Sequence, residues 1–487
     1  MNLFSILEEA ARSWPQDVAV VHKEGICRYA DLYSAAESLA NELRRLGTEE
    51  GDKIGVMFPN GPEYIAVAFA VLRVGGIIIS IPPAFKAEEV AYLAREMALD
   101  GFCYAARFAN LIPGSGRDSS RQVSIFSGRG PLVLNRAQAS FQQSEREQLV
   151  KINIATIRFS SGTTGKAKGI MVSHASLLER ARTYCEAHFL RKAATVLWLR
   201  PMARPEIYAF LLQGTKILIS DAMDTLSIRR LIQQHSVTHI YAAPMFYRTI
   251  LQDKNITAEQ LQNVRYFLSG GAPLGKPIAD VFAAKYGRGI VEHYGLAECA
   301  AVLINLSQTP SKRGSVGKPY PGREIRLASL EADARAGEDV GEILVRGPGL
   351  FDGYYRPWRL RDEVLEDGWF RTGDVARRDA DGYYWIVGRT KDVINVGGVK
   401  VFPYEIEEVL LTHPAVEETV VMGVAEARFG EVPHGRVKLR NGAVCTEREL
   451  LRHVNERVSV FKALRGVEFV EEIPKTVTGK PKRPTSE

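Results

Sequence analysis

Ten consecutive residues, Ser160-Ser161-Gly162-Thr163-Thr164-Gly165-Lys166-Ala167-Lys168-Gly169, combine four hydroxyls, three glycines and two lysines. The segment starts as an alternating strand, Ile157-Arg158-Phe159, and breaks into a loop. Glycine lets backbone N–H groups turn toward one anion, hydroxyls donate further bonds, and lysines add positive charge. Such a loop suits a polyphosphate. It lacks the Gly-x-x-x-x-Gly-Lys-Ser/Thr spacing of the P-loop, so that reading is excluded. A solvated polar loop is the alternative that this segment alone leaves open.

Further polar segments follow: SGGAPL (269–274), HYGLAE (293–298), WFRTGD (369–374), GRTKDVINVGGVKVFPYEIE (388–407) and PKTVTGKPKR (474–483). Taken singly, they have ordinary readings. HYGLAE can start a helix with an exposed acid, Asp374 and Arg389 can form a turn salt bridge, and the last is a basic tail. Their order is more specific. From Tyr29-Ala30-Asp31-Leu32 to Gly479-Lys480-Pro481-Lys482-Arg483, nearly the whole chain resembles the acyl-adenylate-forming superfamily. That superfamily comprises acyl- and aryl-CoA ligases, adenylation domains and luciferases.

The resemblance implies roles for individual residues. Ser160, Ser161, Gly162, Thr163, Thr164, Gly165 and Lys168 would clasp the triphosphate of ATP, with Thr163 and Thr164 also catalytic. Gly271, Ala272, Pro273, His293, Tyr294 and Gly295 would surround the nucleotide, Tyr294 stacking on adenine. Glu298 would be both catalytic and the ligand of Mg²⁺, a hard cation that takes oxygen donors. Asp374 would accept from both ribose hydroxyls, and Arg389 would add a second ribose or phosphate contact. Lys391 would be the hinge. Gly397 and Gly398 would line the tunnel for a phosphopantetheine thiol. Lys480 would bring its ammonium to the phosphoryl oxygens, where charge grows in the transition state. Tyr241, Ala242, Gly270, Gly271, Gly295 and Leu296 would wall the acyl pocket.

Four departures from the family pattern are visible. Ala167 stands where proline is usual, Ala297 where a threonine hydroxyl is common, and Pro481 where an aliphatic residue is usual. The segment WLRPMARPEIYAFLLQG (198–214) is shorter than usual and lacks the histidine of a Pro-x-x-His pattern. Arg200 and Arg204 stand there instead. Arginines at such a turn are most often solvated; the other reading is a site for a second carboxylate or phosphate on the substrate.

The activity implied is ATP-dependent acid activation through acyl-AMP, then thioester formation with coenzyme A. Two alternatives stand beside it. One loads an acyl or amino acid onto the phosphopantetheine of an acyl carrier protein; the other only binds nucleotide or acyl-AMP.

These residues need a scaffold to hold them. Leu32, Ala35, Leu39, Leu43 and Leu46 fall at helical spacing and end at Gly47. A strand (54–58), a helix (62–74) and the Ile77-Ile78-Ile79 strand follow, a rhythm that favours a parallel sheet. Residues 108–148 read as loop-rich connection. The rhythm returns over 155–307, and short strands with Gly/Pro turns follow from about 314. After Arg389 the pattern becomes compact α+β, with a helix from Pro403 to Leu411, a strand at 420–424 and a helix over roughly 447–458. The fold expected is α/β. A large N-terminal domain (1–390) holds two α/β sheet subdomains and a small β-rich subdomain. A small mobile α+β C-terminal domain (391–487) carries the lysine.

Bulk composition sets the outer limits. Five scattered cysteines form no Cys-x-x-Cys pair, which argues against structural zinc and for a reducing cytoplasm. The start, MNLFSILEEAARSW, reads as an amphipathic helix rather than a signal peptide. Tyr64 to Pro82 reads as helix, turn and strand, not a membrane span. A net charge of +6 suits acidic small molecules, and no basic helix or aromatic-basic pattern supports nucleic-acid binding. A monomer or homodimer is expected.

Overall fold

The computed structural model describes residues 2–115, 120–126, 132–136, 143–160, 168–220, 224–330 and 339–474. Its frame is a pair of sheets, each of nine strands among the described residues. In the first, Lys53–Met57, Ile77–Ser80, Gly101–Ala105 and Ile154–Ser160 run parallel. In the second, Val18–His22, Thr195–Trp198, Lys216–Ile219, His239–Ala242, Tyr266–Gly270 and Ile290–Leu296 do so.

Strands covered on both faces carry near-continuous apolar runs. Alternate side chains then serve different cores. In the second sheet Val196, Trp198, Ile217 and Tyr241 join the large central core, while Leu197, Leu218 and Ile240 join an outer one. In the first sheet Ile54, Val56 and Ile78 face the centre, and Met57, Ile77 and Ile79 face out. The central core also contains the buried faces of helices Phe4–Ser13, Tyr29–Arg45, Pro62–Arg73, His174–Ala187 and Glu206–Leu212, so these helices lie between the sheets. Leu3, Ile6, Leu7 and Ala10 are all buried there, as their helical spacing predicts.

The loop-rich reading of 108–148 needs correction. Ser120–Val123 and Leu132–Arg136 pair with each other and add two antiparallel strands at the sheet edge, beside Gly101–Ala105. Both strands are short, so their alternation was too brief to read.

A third, four-stranded antiparallel sheet contains Glu324–Ser329, Asp339–Arg346, Phe370–Arg378 and Tyr384–Arg389. A short helical turn, Thr390–Asp392, leads from it into the last sheet, whose first strand is Ile394–Val396. Helix Pro403–Leu411 matches its expected bounds, strand Val416–Glu426 extends well beyond 420–424, and helix Glu447–Asn455 ends short of 458. Among the described residues no helix is long and apolar enough to cross a membrane.

Candidate active site

The nucleotide residues converge at the third sheet. Asp374 and Arg389 face each other across the antiparallel pair formed by Phe370–Arg378 and Tyr384–Arg389. Arg389 Nε lies 2.8 Å from Asp374 Oδ1, and Tyr294 donates its hydroxyl to Asp374 Oδ2 at 2.6 Å. Asp374 is buried. Burial, and then the Asp374 charge, push the Tyr294 phenol well above its ordinary value, so it stays a donor. An ionised carboxylate offers about four lone-pair positions. Two are used here, and two remain for a pair of ribose hydroxyls. The site therefore fits a nucleoside sugar, and the Tyr294 ring is held beside it.

The segment His293–Glu298 is not a helix start. It closes strand Ile290–Leu296 and turns back into Ala300–Ile304. Close approach explains its glycine, since a Cβ at Gly295 would overlap the Ala300 carbonyl. Leu296 pairs with Ala300 in that turn, and Ala300 itself adopts a positive φ of 56°. Glu298 reaches Tyr354, whose hydroxyl donates to Glu298 Oε1 at 3.2 Å. The Lys168 ammonium sits 5.0 Å from the centre of the same ring. A single carboxylate suits Mg²⁺, which completes its shell with phosphate oxygens and water. Among the described residues no cluster of three acidic, His or Cys ligands offers a self-sufficient metal site.

Ser160 pairs with Lys168 at the end of the antiparallel pair Ile154–Ser160 and Lys168–Ser173. Ser161, Gly162, Thr163, Thr164 and Gly165 themselves, and Lys480, lie outside the described residues. Ala272 and Pro273 follow strand Tyr266–Gly270 in the loop leading to helix Lys276–Tyr286. Gly397 and Gly398 form a hairpin tip whose N–H groups donate to Phe429 O and Asn395 Oδ1. Lys391 lies in the connecting turn, 4.0 Å from Asp392.

The acyl side is built differently. Tyr241 and Ala242 are fully buried in strand His239–Ala242. The Tyr241 hydroxyl meets His188 Nδ1 at 2.8 Å, and the other ring nitrogen meets Tyr320 at 2.6 Å. Above them, the His293 ring covers Gly270 so closely that a Cβ there would overlap it. Burial, and then neighbouring positive or imidazole groups, hold His188 and His293 well below their usual values, so both are neutral. Arg200 is not solvated as the usual turn arginine would be. It is 4% exposed, 3.2 Å from Glu206 Oε1 and 3.3 Å from His293 Nε2.

Sequence reading missed Arg180. Its buried guanidinium donates to the backbone carbonyls of Gly349, Ala297 and Glu298 at 2.7, 3.1 and 2.8 Å. Arg323 clamps the next residues through the carbonyls of Cys299 and Ala301. One signal was available: Arg180 falls on the helical face shared by Leu177, Ala181 and Tyr184, where a charge needs a reason.

Family comparison agrees with this geometry. Residues 7–355 match the AMP-binding enzyme family, and 405–480 match the AMP-binding enzyme C-terminal domain. The chain is 29% identical to the long-chain-fatty-acid–CoA ligase of Bacillus subtilis, covering 98% of this chain and 93% of that one. It is 28% identical to a feruloyl-CoA synthase of Amycolatopsis, over 96% and 95% of the two chains. The crystal structure of ATP-bound MatB from Rhodopseudomonas palustris superposes with a TM-score of 0.84 at 26% identity, covering 99% and 97% of the chains. The chain therefore belongs to the AMP-binding enzyme family, within the acyl-adenylate-forming superfamily, as an ATP-dependent AMP-forming ligase.

Proposed function

We propose that this enzyme converts a small-molecule carboxylic acid to its acyl-AMP and passes the acyl group to coenzyme A. The observation that carries the reading is the Asp374 carboxylate, held by Arg389 and Tyr294 with two lone-pair positions to spare for ribose. The CoA-ligase relatives favour coenzyme A over a carrier protein as the thiol.

In the first half-reaction a substrate carboxylate oxygen bonds to the α-phosphorus while the bond to pyrophosphate breaks. Tyr294 and Asp374 hold the nucleoside, so the α-phosphorus meets the carboxylate in one orientation. Glu298 would hold Mg²⁺, which would offset charge on the phosphates. Thr163, Thr164 and Lys168 donate to phosphate oxygens, and Lys480 supplies positive charge as charge develops. In the second half-reaction the thiolate attacks the acyl carbon, and AMP leaves with the mixed-anhydride oxygen. We place the domain boundary at 390/391, assign the backbone rotation between the two steps to Lys391, and assign the thiol path to Gly397 and Gly398.

Acid-dependent ATP–pyrophosphate exchange tests the first step. Lys480→Ala should lower it on the order of 10²–10³-fold. Identical exchange in the wild type and the variant would overturn the adenylation reading.

A further inference from the structure

The acyl corner carries more positive charge than the protein itself neutralises. Arg200 and Arg204 converge over the end of strand Tyr266–Gly270. A Cβ placed on Gly271 would lie 3.3 Å from Arg200 Nη2 and 3.8 Å from Arg204 Nη2. Two guanidiniums therefore face one small surface. Arg200 has Glu206 as its partner, and that carboxylate is 1% exposed. Arg204 makes no side-chain hydrogen bond or ion pair among the described residues. Arg158 adds its field to the same place from strand Ile154–Ser160. The neighbouring histidines are neutral and contribute no counter-charge. Near Arg204 there are thus two further cations, Arg200 and Arg158, and the carboxylate of Glu206.

Charge withdrawn from water is normally paired, because desolvation without a partner is costly; Arg200 is buried and Arg204 half-buried. Unmet polar atoms mark the same corner. His293 Nδ1, Ser269 Oγ and the second Glu206 oxygen are buried without a hydrogen-bond partner. Groups of this kind call for a ligand or ordered water. The ribose is met at Asp374 and the phosphates at Lys168, and neither residue is part of the arginine pair.

We propose that the acid is a short dicarboxylic acid, whose second carboxylate is bound by Arg204 with help from Arg200 Nη2, which has a second N–H beyond the one it gives to Gly270 O at 3.4 Å. The assignment rests on the acid-activating reading above. A planar guanidinium matches a carboxylate with two parallel bonds, which makes arginine the fitting residue here. Length is set by His293. Its ring fills the space against Gly270, with His188 stacked 5.8 Å behind it, so no channel for a long chain opens in that direction.

The experiment is hydroxamate formation by the full-length enzyme with ATP, Mg²⁺ and hydroxylamine. Malonate, succinate and glutarate are compared with propionate, butyrate and valerate, in wild type, Arg204→Met and Arg204→Lys. At least one dicarboxylate should exceed its monocarboxylate of equal length by about 10²-fold in kcat/KM. Arg204→Met should remove that preference, mainly through KM, and lower the monocarboxylates by a much smaller factor. Arg204→Lys should keep part of the preference, which separates charge recognition from a folding defect. A wild type that prefers monocarboxylates would overturn the dicarboxylate assignment and leave acid activation standing. So would equal losses on both classes in Arg204→Met. Absence of hydroxamate from every acid, including longer aliphatic and aryl ones, would overturn acid activation and the assignment with it.

Discussion

At Asp374 each charge meets an opposite one within hydrogen-bond reach, whereas at Arg204 positive charge gathers around a single acid. The two corners are joined through one strand, since Tyr294 and His293 are adjacent and belong to the opposite networks. The nucleotide corner is complete before its ligand arrives and offers spare lone pairs. The acyl corner is incomplete and offers spare charge. A co-substrate used in every turnover suits a site already organised for it. A substrate that must be told from its near relatives suits a site that is unfavourable until the right partner fills it.

The largest expected effect breaks the self-paired corner. Asp374→Ala strands Arg389 and frees the Tyr294 ring. The kcat/KM for ATP should fall on the order of 10²–10³-fold in pyrophosphate exchange. The order of preference among acids should stay as in the wild type; if it changes too, the corners are not separable.

Acid should act on the core behind the other corner and on the seat of the N-terminal helix. His239 donates its Nε2–H to the His188 carbonyl oxygen at 3.0 Å, and burial brings its pKa down to about 4. His174, which accepts from Leu3 N, is likewise brought down to about 4 by burial. A depressed histidine means that the unfolded chain takes up protons first as pH falls. Stability is therefore lost between the unfolded value near 6.5 and the folded value near 4. The two together should lower it by about 3–4 kcal/mol from pH 7 to pH 5. Urea midpoints at the two pH values measure this, and His174→Gln with His239→Gln should flatten the dependence.

Arg180→Met should act on both corners alike. It leaves three buried carbonyls without their donor and should cost about 2–3 kcal/mol in urea unfolding. Because it releases the backbone of Ala297 and Glu298, pyrophosphate exchange should fall by a similar factor for every acid.

The smallest effect concerns the glycine under His293. Gly270→Ala alone should destabilise by about 1–3 kcal/mol through overlap with the ring. Adding His293→Gly should restore most of that loss and admit longer acids in the hydroxamate assay. An unrelieved double variant would show that the ring is not what fills the space.

Much of the scaffold could be read in advance. The helix–strand rhythm over residues 32–80 and the helix at Pro403–Leu411 follow directly from apolar spacing and from glycine and proline at the ends. The edge strands within 108–148 could not be read, because a four- or five-residue strand at a sheet edge has little apolar patterning. In the site, the pairing of Asp374 with Arg389 was legible because both fall in ordered motifs. Arg180 and His188 were not, because the groups they hold lie more than fifty residues away in the sequence.

The sequence by itself determined the chemistry: the order of the phosphate loop, Glu298, Asp374, Arg389 and Lys480 already specified an adenylating ligase. It also placed Arg200 and Arg204 in an altered segment. Only the tertiary structure decided what those arginines are. Whether a guanidinium is solvated or buried depends on which distant strands close over it. Here Gly270, Gly271 and His293, more than sixty residues away, close over Arg200 and bring Arg204 beside it at one small surface.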